Sequence, residues 1–189
     1  MEVSLAQREV RRVFRGGFMG QLVAGVLWLA SAATATYGTT RAAILLLVIG
    51  GFFIFPATML GLRLLGGPWK LSAGNPLSGL GMQVAFVLPL SLPLVAAATA
   101  HRLQWFYPAF MIALGAHYLP FMFLYGMPMF GVLSGALVGL GVVLAYQTDG
   151  SFAGPAWMTG TLLLVFAGLG LALEARERAR ETAAARKEY

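Results

Sequence analysis

Long stretches without a charged residue are the feature that most constrains the fold of this chain. Of its 189 residues, 59% are hydrophobic and 11% are charged, whereas about a quarter of an ordinary soluble domain is charged. Charged residues are missing from 16–40, 42–62, 71–100, 103–148 and 150–173. About 20 apolar helical residues cross a bilayer, so 103–148 is long enough for two crossings and each other stretch for one. The sequence therefore predicts an all-α, polytopic membrane protein with six transmembrane helices.

We number the predicted crossings as spans 1 to 6. They are expected at residues 17–37, 42–62, 76–100, 108–125, 128–147 and 155–173. A proline tolerates the first turn of a helix because its missing N–H has no partner there. Prolines stand at the expected starts of spans 3 to 6, at Pro76, Pro108, Pro128 and Pro155. Pro56 predicts a bend in span 2, and Pro89 and Pro93 predict a distorted span 3.

The positions of the basic residues predict the orientation. Eleven of the thirteen Lys and Arg belong to the basic segment 1–16, the 63–75 linker and the charged helical tail 174–189, while Arg41 and Arg102 lie at the other ends of the spans. The positive-inside rule then places both termini in the cytoplasm. The net charge of +6 indicates contact with anionic lipid headgroups rather than nucleic acid. Arginines before an apolar core also occur in signal peptides, but we expect an uncleaved first span.

The chain lacks the groups that most membrane enzymes use. Asp149 lies between spans and every Glu lies in a terminal segment, so no carboxylate stands inside a span. Acid–base catalysis and ion coupling normally need one there. Phosphate-binding, dinucleotide-binding and HExxH motifs are absent, as is Cys. A non-enzymatic protein without a cofactor is therefore the expectation.

His117, near the middle of span 4, is the best candidate for a functional side chain. An ionisable residue at this depth is costly and should face the bundle interior or a wet cavity. One reading is a neutral histidine that hydrogen-bonds across helices to Gln83, Ser134 or the Ala116 carbonyl. A second is a substrate-binding or proton-handling group, with Tyr118 and Tyr125 on one helical face as further lining.

A cofactor is the third reading of His117. Haem would need a second axial ligand, and His101 is expected about 20 Å away along the same hairpin. Copper(I) could bind thioethers of Met122, Met127 and Met129, but methionine in apolar helices is usually packing material. Neither cofactor is predicted.

Span 5 carries glycines at four-residue spacing: Gly131, Gly135 and Gly139. Such a face allows a second helix to approach closely. It could pack inside the span 4–span 5 hairpin, which the short Gly126-Met127 turn enforces, or contact a partner chain. We expect packing inside the hairpin.

The stretch HYLPFMFLYGM, preceded by WFYPAF, resembles sequences of small bacterial integral membrane families of unknown function. This resemblance implies no activity and no site, and the high Ala, Gly and Arg usage suits a bacterial cytoplasmic (inner) membrane protein. The leading hypothesis is a non-enzymatic accessory or structural subunit of a membrane complex, or a homo-oligomer. The alternative is a small transporter or ligand-binding protein with a cavity between spans 3, 4 and 5 around His117, and an enzyme ranks third.

Overall fold

A computed structural model describes residues 2–66, 68, 70–147 and 150–185. All the regular structure in these residues is helical, which confirms the all-α prediction. The helices are α1 (Val3–Phe14), α2 (Phe18–Tyr37), α3 (Thr40–Gly51), α4 (Ile54–Leu64), α5 (Ser78–Ala85), α6 (Val87–His101), α7 (Phe106–Tyr118), α8 (Phe121–Tyr125), α9 (Met129–Tyr146) and α10 (Gly154–Ala185). Asp149 and the tail residues 186–189 lie outside the described residues.

Among the described residues, five helical segments are long and apolar enough to cross a membrane, and the α3–α4 pair makes a sixth if it counts as one span. This pair bends by 59°, which confirms the bend expected from Pro56. Gly50 and Gly51 end α3, and Pro56 falls in the first turn of α4, so the continuous hydrogen-bond ladder stops between them. In span 3 the break comes at Phe86, just before the two prolines.

The two terminal segments lie at the same end of the bundle, because the Arg11 guanidinium in α1 pairs with the Glu177 carboxylate in α10. We call this end the α1 end and the other the far end. The α3–α4 pair starts after α2 at the far end, and the carbonyls of Leu65 and Gly66, just after α4, accept hydrogen bonds from Arg15 at the α1 end. Counted with this pair, six helical segments of the described residues run between the two ends of the bundle.

The bundle is built on two long helix pairs. Helix α2 packs along α10, and α7 packs along α9. Both pairs rely on glycine: a Cβ on Gly25 would lie 2.8 Å from the Leu164 side chain, and one on Gly141 would lie 3.0 Å from the Pro108 carbonyl oxygen. Close backbone approach increases the van der Waals contact between helices.

Aromatic rings join these two pairs in the core. The Trp28 ring of α2 contacts the rings of Tyr107 and Phe110 in α7, with centroid separations of 5.9 and 5.4 Å. The α3–α4 pair packs on α2, and α6 packs on α7, so both broken spans lie at the periphery. The outer faces of these broken spans expose large apolar side chains such as Phe52, Phe55 and Leu90.

Candidate functional site

His117 hydrogen-bonds to the backbone of span 3 beside its break. Its Nδ1 lies 3.0 Å from the Val84 carbonyl oxygen, two residues before the helix is interrupted at Phe86. A carbonyl only accepts, so Nδ1 carries the proton and Nε2 of the neutral ring is an acceptor. The imidazole also packs against the Phe121 ring, with centroids 5.0 Å apart. The cross-helix hydrogen bond fits the structural reading of His117, with a different acceptor from those expected.

The other residues named with His117 are only partly gathered around it. Gln83 is exposed on the outer face of α5, and none of the described residues bonds its amide. Ser134 is buried on α9. Tyr118 and Tyr125 are buried in a layer of stacked and edge-on rings with Phe121 and Phe130, which we call the aromatic layer. The layer lies in the half of the bundle nearer the α1 end.

The glycine face of α9 divides into two parts. A Cβ on Gly131 would lie 2.9 Å from Met122 Sδ, so this glycine packs against α8. A Cβ on Gly135 or Gly139 would meet no atom within 4 Å. These two glycines face outward beside exposed Val132 and Val143. The α7–α9 contact uses Gly115 and Gly141 instead.

Metal and cofactor ligands are not gathered in the described part of the chain, where no group of three or more His, Asp or Glu could hold an ion. The His101 ring packs on Trp105 at the far end, 5.3 Å between centroids. Two open cavities among the described residues, of about 160 and 250 Å³, also lie at the far end, around Trp105 and Ala145. Their linings do not include His117.

The sequence did not single out the polar contacts of α1, which reach four other segments. Arg11 donates to both carboxylate oxygens of Glu177, at 2.7 and 2.6 Å, and to the Tyr125 carbonyl at 2.6 Å. Gln7 donates to the Phe123 carbonyl at 2.6 Å. These bonds satisfy carbonyls at the end of α8, where a helix lacks internal donors and a cation is favoured.

The remaining contacts of α1 bind the neighbouring helix ends. Arg15 donates to the carbonyls of Leu65 and Gly66 after α4, both at 3.2 Å. Glu9 accepts from the Ser72 N–H at 2.6 Å and from Asn75 Nδ2 at 2.8 Å, before α5. The hydrogen bonds from the Ser72 N–H and Asn75 lower the pKa of Glu9, and those from Arg11 lower the pKa of Glu177. Helix α1 and its C-cap residue Arg15 therefore bind the end of α4, the segment before α5, the end of α8 and the C-terminal part of α10.

A sharp reversal lets α1 fold under the bundle. Arg15, Gly16 and Gly17 all adopt left-handed backbone conformations, with φ of 48°, 63° and 81°. Glycine adopts this region freely, whereas Arg15 does so at a cost of about 1 kcal/mol or more. With this turn, Ala6, Val10 and Val13 are buried against the protein. The apolar face of α1 is thus covered by the bundle instead of being left for lipid.

Gln21, in the second turn of α2, has an unusual environment. The residue is 2% exposed, and neither its Nε2 nor its Oε1 has a hydrogen-bond partner among the described residues. An amide transferred to apolar surroundings without a partner costs several kcal/mol. A single glutamine in the otherwise apolar, glycine-rich start of span 1 was the available signal for this position.

Comparison with known proteins gives a family and no relative of established function. The sequence model of a family described as a family of unknown function, DUF7010, matches residues 3–172. No curated protein and no solved structure matches the chain. The expected resemblance to an uncharacterised family is confirmed, and the family's description mentions no membrane.

Proposed function

Because the chain belongs to the family of unknown function DUF7010, which supplies no activity, we propose a function from its residues. The protein is a non-enzymatic integral membrane protein that assembles laterally with other membrane helices, as a subunit of a larger complex or as a homo-oligomer. Six crossings of a bacterial cytoplasmic membrane with both termini in the cytoplasm agree with the long apolar helices and the basic residues at the α1 end. Exposed Arg8, Arg12 and Arg63 would face anionic headgroups there.

The outward glycine face of α9 carries the assembly part of the proposal. Gly135 and Gly139 lie one helical turn apart with open space before them. Glycine in a helix interior has an energetic cost that close packing normally offsets, and among the described residues no such packing reaches these two positions. A transmembrane helix of a partner could approach this face closely.

The alternative, a transporter or ligand-binding protein with a cavity between spans 3, 4 and 5, gains less support. Its central residue, His117, uses Nδ1 to bond the Val84 carbonyl. The two cavities of about 160 and 250 Å³ lie at the far end and are not lined by His117. Hence the assembly function is favoured.

Native mass spectrometry of the protein released from lipid tests the assembly function. We expect higher-order species that are lost in Gly135→Ile and Gly139→Ile, while the thermal unfolding temperature of the remaining protomer is unchanged because the added side chains meet no atom of the chain. Gly168→Ile is the matched control, since Gly168 also faces open space, on α10. A purely monomeric protein without bound partners, or equal losses in all three variants, would contradict the proposal.

A further inference from the structure

We propose that Gln21 is the hydrogen-bonding anchor of a small site inside the α1 end of the bundle, and that α1 is the strap that closes it. The site is independent of the assembly function, because Gln21 and α1 lie away from the outward face of α9. Two observations support this proposal. The buried Gln21 amide has no hydrogen-bond partner among the described residues, and polar contacts hold α1 on the bundle.

Gln21 is buried near the start of α2. Residues four apart lie on one face of a helix, so Gln21 shares its face of α2 with Gly25, where a Cβ would lie 2.8 Å from the Leu164 side chain of α10. Gly17 is the left-handed residue just before α2, and a Cβ there would lie 2.8 Å from Phe130 Cζ and 3.7 Å from Tyr125 Cζ. Gln21 therefore lies on the side of α2 that faces α10, about one turn beyond the contact of Gly17 with the aromatic layer.

Helix α1 covers the surroundings of Gln21 from the α1 end. Phe14, the last residue of α1, meets the Tyr125 ring edge-on with centroids 6.5 Å apart, and Arg11 holds the Tyr125 carbonyl. The Tyr125 ring in turn lies beside Gly17, about one turn from Gln21. Lifting α1 about its left-handed turn at Arg15–Gly17 would release Tyr125 and open a route to Gln21 from the α1 end. The Arg11–Glu177 pair is the contact that holds this end of α1 to α10.

The chemistry of the ligand follows from the amide and its surroundings. A glutamine amide both donates and accepts, so its ligand should do the same. The stretches 16–40, 103–148 and 150–173, which supply most of the surrounding helices, contain no charged residue. The charged groups nearest to this place are already paired, Arg11 with Glu177 and Glu174 with Arg178. A charged ligand would thus be uncompensated in an apolar interior. The site fits a small uncharged molecule with hydrogen-bond donors and acceptors.

Thiol labelling in the full-length protein tests this, since the chain has no Cys of its own. In liposomes, the water-soluble reagent 2-aminoethyl methanethiosulfonate is applied to Gln21→Cys, and to Ala24→Cys, which keeps the amide and is buried one turn deeper. Val10→Cys reports on the strap, and Ala32→Cys, fully buried near the far end, is the control for general loosening. Each is compared in wild-type and Glu177→Gln backgrounds.

The strap predicts that Glu177→Gln speeds labelling of Val10→Cys and of Gln21→Cys or Ala24→Cys by about tenfold, because a hydrogen bond to a charged group contributes that order of stability. Ala32→Cys stays unreactive. Excess acetamide, a small uncharged amide, should slow labelling of Ala24→Cys in the Glu177→Gln background.

Three results would overturn the proposal. Unchanged labelling of Val10→Cys would show that Glu177 does not hold the strap. Faster labelling of Val10→Cys without access to Gln21→Cys and Ala24→Cys would show that no site lies behind it. Labelling of Ala24→Cys that acetamide does not slow would show that no solute of this class binds at Gln21.

Discussion

Arg11 in α1 donates hydrogen bonds to both carboxylate oxygens of Glu177 in α10, at 2.7 and 2.6 Å, although the two residues are 166 positions apart in the sequence. The same guanidinium donates to the Tyr125 carbonyl, so three helices meet at one side chain. Two parallel hydrogen bonds to a carboxylate fix geometry as well as charge.

Replacing Arg11 should detach α1 from the bundle. Arg11→Gln loses the pair with Glu177, and we expect a loss of about 1–2 kcal/mol, reduced from a fully buried pair because the Glu177 side chain is 36% exposed. Hydrogen exchange of the α1 amides measures the change. Arg12→Gln is the control, since the Arg12 side chain is exposed. Equal effects of the two substitutions would contradict a specific role for Arg11.

Acid should release α1 from the same contacts. The folded-state pKa values of Glu177 and Glu9 are lowered from 4.5 by their hydrogen bonds to Arg11 and to Ser72 and Asn75. Their stabilising contribution is therefore complete above about pH 5 and is lost as the pH falls through the lowered values. Arg11, which bonds Glu177, and Arg8 are the charged groups that lower the pKa of Glu177.

Hydrogen exchange of α1 between about pH 6 and about pH 3, corrected for intrinsic rates, checks this dependence. Exchange should accelerate below about pH 4.5 in the wild type and remain nearly flat in Glu9→Gln/Glu177→Gln. A flat wild-type profile would rule out a carboxylate contribution to holding α1.

His117→Leu should destabilise the protein because the Val84 carbonyl loses its donor beside the helix break. Interhelical hydrogen bonds in membranes contribute about 0.6 kcal/mol on average and up to about 1.7, and we expect a value in this range from unfolding in mixed micelles. Gln83→Leu, on the exposed face next to Val84, should change nothing. A His117→Leu variant of unchanged stability that loses a cellular phenotype would instead favour a functional histidine.

Ser31 is expected to matter more than Tyr107 in the buried pair that they form. Ser31 Oγ donates to the Ala43 carbonyl at 2.9 Å, so the Tyr107 hydroxyl, 2.6 Å away, is the donor to Ser31. Tyr107→Phe leaves the Ser31–Ala43 bond intact and should cost about 1 kcal/mol. Ser31→Ala removes both hydrogen bonds of the serine hydroxyl and leaves the Tyr107 hydroxyl only the Ser31 carbonyl, 3.4 Å away, as an acceptor, so it should cost about 1–3 kcal/mol. Thermal unfolding measures the stability of both variants. A larger loss in Tyr107→Phe than in Ser31→Ala would contradict this donor assignment.

The limits of the sequence are clearest at His117 and Gln21. The position of His117 near the middle of span 4 and the distortion of span 3 near its prolines were predictable from the sequence. The choice of the Val84 carbonyl over the neighbouring Gln83 amide was not, because adjacent residues on a helix point about 100° apart. Likewise, the sequence drew attention to His117, whereas the buried amide without a partner is Gln21.

The helical class and the bend near Pro56 follow from the amino-acid sequence, because apolar stretches, prolines and glycines act locally. Packing between distant segments sets which face of each helix is buried, which glycines of α9 are left open, and how α1 folds onto the bundle. A helix that is apolar all round has no hydrophobic stripe to set its rotation. Its rotation follows from contacts between residues far apart in the chain, such as Arg11 and Glu177.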